Sequence, residues 1–487
     1  MPQLRRSLLT TIVICTLAAS AQAQTQRPRD LAGASLEELM SLVITTASRL
    51  PEGLASAPAR VQVVTAAQIE RRGYRSVLDV LKDLADFKVD LGGDPDYPAQ
   101  LTVQGTPGAS RVLLLLDGIL VSSPTNEPLP FTANYPVHNA RQVEIVYGPA
   151  SALYGADAFS AVINIISKDA DEASGLVASS SVGQFGLTNQ TASYGVRLGP
   201  KTTLMLSGQF LYDRQPDLSR FYPGDFGGLE AQHTGVFNTI FGPMVSNRPV
   251  SPEYAAPQSA HSLQARLQSG GFDVTLFQNR ARQPTSTPNL PDNAVYNADA
   301  FTGNDLFVAS GRYTRRVGHL TSTSSLMLSR HEMDPETGYW NVFSNLEKSY
   351  KYAYGAMLKG EQQVTWKPAR TFSLTGGGSV EHNRAIPQGA DLNAPVRSRD
   401  QPGTILDTDI VDDFVRLSYR NVGAYAQAQY APTPALAFTV GARGDANSRY
   451  GRTFNPRIGL VATPIAGTTI KVMAGTAFLA PSPYQAY

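Results

Sequence analysis

Val143–Lys168 reads VEIVYGPASALYGADAFSAVINIISK, and the fold depends on how that stretch is parsed. Val143-Glu144-Ile145-Val146 alternates apolar and polar residues and stops at Gly148-Pro149. Small residues with Tyr154-Gly155 make a compact connection. Ala161-Val162-Ile163-Asn164-Ile165-Ile166 then reads as a short buried strand bounded by Ser167-Lys168. The pattern is strand, tight turn, small-residue connector, strand, which predicts a packed β element.

Working outward, residues 24–33 are polar, and Ser35-Leu36-Glu37-Glu38 is a capping box for a short helix ending near Met40. Leu42-Val43-Ile44-Thr45-Thr46 opens a β-branched, extended segment that runs to Arg49 and meets a turn at residues 50–53. Val61–Val64 is a strand. Thr65-Ala66-Ala67-Gln68 caps a helix that Gly73 stops. Val77, Leu78, Val80, Leu81 and Leu84 form an apolar helical stripe, a core face. A loop at Gly92–Pro98 precedes strands at 101–105 and 111–116, an Asp117-Gly118 turn and a long polar and aromatic loop at 124–136.

Length and composition agree with two domains. The chain has 487 residues, with 17% charged and 42% hydrophobic, both low for a soluble enzyme. Met1–Ala23 reads as a secretory signal: Arg5 and Arg6, an apolar stretch at 8–19, and Ala21-Gln22-Ala23 at the cleavage position. Its removal takes away the one cysteine, Cys15, and excludes disulfides and thiolate chemistry. It also moves the net charge from +1 to −1, so no strong field draws the protein to nucleic acid. No later stretch approaches the 18 or so apolar residues of a membrane helix.

The C-terminal region alternates with period two. Leu204, Leu206, Gly208, Phe210 and Tyr212 share one face and Thr203, Ser207 and Gln209 the other. The same holds for 262–268, 371–375, 422–430 and 436–443. Tight connections at 199–200, 270–271, 318–319, 367–369 and 433–434 alternate with long polar links near 215–258, 283–304, 332–346 and 385–414. Short turns on one side and long loops on the other predict a transmembrane barrel, because lipid cannot satisfy an open strand edge. About thirteen strands fit between 175 and 478. A soluble β-sandwich would explain the strands but not the alternation of link lengths.

The order of elements from Val61 to Lys168, followed by this barrel, resembles the TonB-dependent outer-membrane receptors, in particular siderophore- and colicin I receptor-like members, some of which share the SLEELM helix. The resemblance implies an α+β plug domain inside a transmembrane antiparallel β-barrel, with 22 strands in the family. The expected domains are a signal peptide at 1–23, an N-terminal segment with a TonB box at 24–59, a plug at 60–171 and a partial barrel at 172–487. The final residues, Phe478–Tyr484, look like a mid-barrel segment, so a C-terminally truncated chain is expected. Two positions depart from the family, which usually has Arg at Gln104 and at Tyr147, where it pairs with barrel glutamates.

No enzyme constellation is present. His138, His233, His261, His319, His331 and His382 are scattered, His331-Glu332 lacks metal spacing, and the acidic run at 407–413 reads as a solvated loop. Gly376-Gly377-Gly378 lies in a strand and cannot cradle phosphate. No cofactor or metal is expected. Aromatic, Arg and acidic residues suited to a planar or chelate ligand lie in the predicted outer loops and on the plug: Asp94, Asp96, Tyr97, Asn126, Tyr135, Arg220, Tyr222, Tyr339 and Trp340. The resemblance implies active import of a ferric siderophore across the bacterial outer membrane; cobalamin, haem or an oligosaccharide are alternatives, and a passive porin is a second class. It further implies that TonB, with its inner-membrane energising complex, pairs with Leu42, Val43, Ile44, Thr45 and Thr46 by strand addition.

Overall fold

The computed structural model describes residues 42–90, 100–108, 111–125, 134–156, 158–227, 230–239, 241–246, 250, 253, 257–285, 299–465 and 467–486. The leader, the helix expected after Ser35, and Asp94, Asp96, Tyr97 and Asn126 lie outside the described residues.

The first part contains β1 (Val43–Ile44), β2 (Glu52–Gly53), β3 (Val61–Thr65), α1 (Ala66–Arg72), α2 (Val77–Lys82), β4 (Phe87–Asp90), β5 (Gln100–Val103), β6 (Thr106–Pro107), β7 (Val112–Leu116), β8 (Ile119–Leu120), β9 (Ala140–Tyr147), α3 (Ser151–Tyr154) and β10 (Ala161–Ser167). Its central sheet has the order β3-β9-β10-β7-β8, with β9 antiparallel to β10 and β10 parallel to β7. α1 begins with the reciprocal Thr65–Gln68 box and ends at Gly73, whose φ of 67° suits glycine. α2 buries Val77, Leu78, Val80 and Leu81. The connector after Gly148-Pro149 is a helical turn, α3, with Ser151, Ala152 and Leu153 buried. The extended segment expected from Leu42 is shorter than its β-branched composition implied. Only Val43–Ile44 is strand, and residues 46–48 turn.

The second part is one antiparallel sheet: β11 (Gly175–Val182), β12 (Thr188–Gly199) and β13 (Thr202–Asp213), then a loop carrying β14 (Val236–Thr239) and β15 (Gly242–Val245). It continues with β16 (Gln258–Ser269), β17 (Phe272–Pro284), β18 (Phe301–Val317), β19 (Leu320–Met333), the loop strand β20 (Gly338–Tyr339), β21 (Ser349–Ala369) and β22 (Phe372–Leu392). A loop with β23 (Gly403–Thr404) and β24 (Val411–Asp412) leads to β25 (Leu417–Thr433), β26 (Leu436–Asn447), β27 (Gly451–Ile465) and β28 (Thr468–Gly475). Thirteen strands follow one another in this sheet, with β20 paired to the side of β21. The predicted turn at 367–369 is instead the end of β21. Its register slips between Trp366 and Ala369, where Pro368 has no N–H to offer, and the turn falls at residues 370–371. β25 slips in the same way around Pro432.

Period-two alternation separates the two surfaces of this sheet. Leu206, Phe210, Leu263, Leu267, Val422 and Val440 are exposed on the convex side, whereas Gln209, Ser262, Thr375, Gln427 and Thr439 are buried on the concave side. Phe277, Leu306, Val308, Met327 and Met357 of that concave side join the plug core in one apolar cluster with α1, α2 and the central sheet. The N-terminal domain is therefore packed inside the curve of the strands.

Candidate functional site

Alternation along β9 gives the plug sheet two buried faces. Val143, Ile145 and Tyr147 point into the cluster with α2 and the barrel wall. Val146 points the other way, into a second cluster with Ile44, Ala47, Ala57, Ala59, Leu113, Leu115 and Val162. Residues 42–59 thus cover the second face. β1 pairs antiparallel with β2, and Ile44 is fully buried.

Glu144 shares that second face and is 1% exposed, so the strand is closed on both sides. Its carboxylate accepts from the backbone N–H groups of Thr45 (3.0 Å) and Thr46 (2.8 Å), from Thr46 Oγ1 (2.5 Å) and from Gln142 Nε2 (2.7 Å). Four donors on one buried carboxylate satisfy its charge where water cannot. Gln142 also donates to Val43 O at 2.9 Å, and the Tyr154 hydroxyl donates to Thr46 O at 2.9 Å. The segment is therefore fixed by hydrogen bonds to its own backbone as well as by Ile44.

Three residues beyond Thr46, Arg49 reaches the barrel. Its guanidinium is ion-paired with Glu361 of β21 and donates to Tyr425 Oη of β25 at 2.9 Å. It lies 5.2 Å from the Tyr154 ring centroid and 5.5 Å from that of Tyr425. Tyr425 in turn donates to Glu361 at 3.1 Å or Gln363 at 2.8 Å. Burial opposes the Arg49 charge, but Glu361 and the two tyrosines more than offset it and hold its pKa above the ordinary value. Arg49 has φ 61°, a backbone region costly for a non-glycine residue, which these contacts sustain.

Further along, Arg457 of β27 donates to Ala47 O (3.3 Å) and Pro58 O (3.1 Å), and Lys471 of β28 donates to Leu54 O (3.0 Å) and Ala59 O (3.3 Å). Glu52 sits among these cations. Burial pushes its carboxyl up to about 7 against the opposing pull of Ser48, Arg457, Gln429 and Lys471, and its Oε1 has no hydrogen-bond partner.

The two positions without arginine contact the plug itself. Gln104 donates to Asp86 at 3.4 Å, Tyr147 donates to Gln62 at 2.8 Å, and Arg60 both pairs with Asp86 (2.7 Å) and lies 4.4 Å from the Tyr147 ring. Ionic contact between plug and wall is made by Arg49–Glu361 and, with opposite polarity, by plug Asp117 with Arg266 of β16 (3.3 Å), which also pairs with Asp273 (2.7 Å). Between these two contacts lies a cavity of about 840 Å³, bounded by plug β7 and α3 and by the wall from β16 to β26.

The outer-loop residues separate by environment. Arg220 and Tyr222 are exposed on the loop after β13. Tyr339 is buried with its hydroxyl on Asp391, and Trp340 is buried against Ala231, Phe237, Val342 and Leu346. Tyr135 is 2% exposed and donates to Val121 O at 3.0 Å. Sequence reasoning did not single out Glu144, Arg49 or Glu361. A carboxylate inside an otherwise apolar strand was the available signal for Glu144; nothing local marks Arg49, whose partner is 312 residues away.

The family model for the TonB-dependent receptor plug domain matches residues 54–162, and that for the TonB-dependent receptor-like β-barrel matches residues 248–487. The vitamin B12 transporter BtuB of Vibrio vulnificus is 29% identical over 245 residues, which make up 48% of this chain and 39% of that protein. Among solved structures, the ferric enterobactin receptor PfeA of Pseudomonas aeruginosa superimposes with a TM-score of 0.63 at 16% identity, over 91% of this chain and 64% of that one. The siderophore receptor PirA of Acinetobacter baumannii gives 0.60 at 14% identity, over 87% of this chain and 62% of that one. The chain thus spans less than two thirds of the length of each of these relatives.

Proposed function

Because this chain belongs to the TonB-dependent receptor family of the outer membrane, whose members are receptors and transporters, we propose that it imports a scarce ligand with energy delivered by TonB. The ligand we put first is a ferric siderophore, the ligand class of the siderophore receptors it superimposes on; the BtuB likeness favours cobalamin as the second reading. Ligand binds from the long-loop side. Residues 42–46 are then released and pair with TonB as an added strand.

The observation that carries this reading is the double attachment of residues 42–49, to Glu144 in the plug and through Arg49 to Glu361 in the wall. A strand already paired with β2 and clamped by Glu144 cannot template a partner, so release must precede capture. Drawing the segment out withdraws Arg49 from the edge of the cavity, so the same pull that engages TonB unfastens plug from wall. A passive porin has no use for such a fastening. Uptake of radiolabelled ferric siderophore and of radiolabelled cobalamin, measured in cells with and without residues 42–46, tests the proposal. Loss of one uptake on deletion identifies the ligand class; uptake that survives deletion rejects the TonB mechanism.

A further inference from the structure

Three consecutive glycines, Gly376-Gly377-Gly378, lie in β22, and Gly377 stands opposite Tyr425 of β25. A Cβ at Gly377 would come within 2.6 Å of the Tyr425 Cζ and hydroxyl. The missing side chain lets that ring lie across β22, so that its hydroxyl reaches Glu361 on β21. The result is a seat with the make-up of a cation receptor. Glu361 faces both arms of the Arg49 guanidinium, with Nη1 ion-paired to Oε1 and Nη2 3.5 Å from Oε2. Tyr425 Oη accepts from Nη1, and the rings of Tyr154 and Tyr425 lie beside the cation.

Two observations set this seat apart from an ordinary ion pair. Its occupant is borrowed. Arg266–Asp273, Lys359–Glu381 and Arg443–Asp445 each join partners within the barrel, whereas Glu361 takes its closest cation from the removable segment at 42–49. Lys359 is 3.8 Å from Glu361 but 2.8 Å from Glu381, so without Arg49 two carboxylates share one ammonium. The Glu361 side chain is 10% exposed, and so dry a carboxylate is costly without a full partner. The seat also opens onto the cavity of about 840 Å³, which Arg49, Tyr154, Glu361 and Gln363 all line. Asn383 lines the same cavity, two positions from Glu381 towards the long loops. It is buried, and its Oδ1 has no hydrogen-bond partner among the described residues. An acceptor without a donor, on the wall that leads to an anionic seat, suits an entering N–H cation.

We propose that this seat binds a guanidinium group arriving from the cavity, and that Arg49 is its tethered occupant. The φ of 61° at Arg49 is a cost that an untethered cation does not carry, so a free group can compete. One carboxylate, one phenol and two ring faces offer a fork and a stack, which fit planar guanidinium better than the oxygen shell of a metal ion. A free guanidinium ion and a guanidinium side chain on an imported ligand make the same contacts. Entry displaces Arg49 and loosens residues 42–49, a consequence that rests on the release proposed above.

The test uses the full chain carrying Ala47→Cys, a buried reporter of that segment, in detergent without TonB. Methylguanidinium at about ten times its dissociation constant for the open seat should accelerate labelling roughly tenfold and saturably, because it binds only the undocked state. Sodium chloride at equal ionic strength should not, and Glu361→Gln should abolish the difference. Equal effects of the two salts on the unaltered seat overturn the proposal, and that arm needs no variant of the seat to fold. By saturation-transfer NMR, Arg49→Ala should bind methylguanidinium and Arg49→Ala/Glu361→Gln should not; equal binding by both also overturns it. Acceleration by a ferric siderophore with a guanidinium side chain, but not by an uncharged one, assigns the group to the imported ligand. Acceleration by methylguanidinium alone assigns it to the medium. Uptake that survives deletion of residues 42–46 rejects the TonB mechanism and leaves these labelling and binding results standing.

Discussion

The two faces of the plug sheet are held in different ways. One face packs α1, α2 and the β4–β5 hairpin through apolar contact that continues into Phe277, Leu306 and Met357 of the wall. The other is covered by residues 42–59, and although Ile44, Ala47 and Ala57 contribute apolar area, directed polar groups fix the register: Glu144, Arg49, Tyr154, Arg457 and Lys471. Apolar burial is non-directional and is lost gradually as area is exposed. A buried hydrogen bond is lost over a fraction of an ångström, and water replaces it once the group is exposed. A segment meant to be withdrawn and replaced is better held in the second way, and a scaffold in the first.

Removing Glu144 should have the largest effect on that contrast. Glu144→Ala leaves two backbone N–H groups and a threonine hydroxyl without their acceptor, which costs about 3 kcal/mol. The amides of Thr45 and Thr46 should then exchange with solvent roughly a hundredfold faster, while those of β7 and β10 are unchanged. A uniform rise across the plug would mean that the two faces are not separable. Arg49→Ala comes next. It strands Glu361, and losing one partner of a buried pair costs about 3 kcal/mol, partly relieved here by Lys359 at 3.8 Å. A cysteine placed at buried Ala47 should become reactive in this variant, and adding Glu361→Gln should restore much of its protection. If the second substitution worsens protection, the pair is not the fastening.

Most of the scaffold was legible from local pattern, because it is built from local rules. The Thr65–Gln68 box, the Gly73 stop, the α2 stripe and the short-long alternation of links each depend on residues within a few positions of one another. The fastening was not legible, since its pairs join residues 42–59 to partners from about a hundred positions later, at Glu144, to more than four hundred, at Arg457 and Lys471. Period two assigns Glu144 correctly to the face opposite Ile145, but it cannot say that a segment from residue 45 will close that face. Tyr339 and Trp340 illustrate the same limit on the outside: aromatic residues in a loop read as ligand contacts, yet their neighbours from distant loops enclose them.

Glu52 sharpens the comparison through pH. Its folded-state value of about 7 lies above the ordinary 4.5, so the docked segment binds a proton that the released segment gives up. Docking is therefore strongest below about pH 4.5 and weakens as pH rises to about 7, by at most about 3 kcal/mol. Labelling of the cysteine at position 47 should accelerate across that window. In Glu52→Gln it should follow only the intrinsic reactivity of the thiol, and a slope that persists there would assign the effect to another group.

The smallest expected effect separates the hydroxyl of Tyr154 from its ring. The ring lies beside the Arg49 guanidinium, and the hydroxyl donates to Thr46 O at 2.9 Å. Tyr154→Phe keeps the cation–π contact and removes one hydrogen bond from a buried carbonyl, a loss of about 1 kcal/mol. Exchange of the Thr45 and Thr46 amides should rise about fivefold. Reactivity at position 47 should stay well below that of Arg49→Ala, because the attachment to the wall is intact. If Tyr154→Phe instead releases the segment as fully as Arg49→Ala, the plug-side hydrogen bonds and the wall-side ion pair act as one cooperative unit, and the release proposed for this segment is a single event.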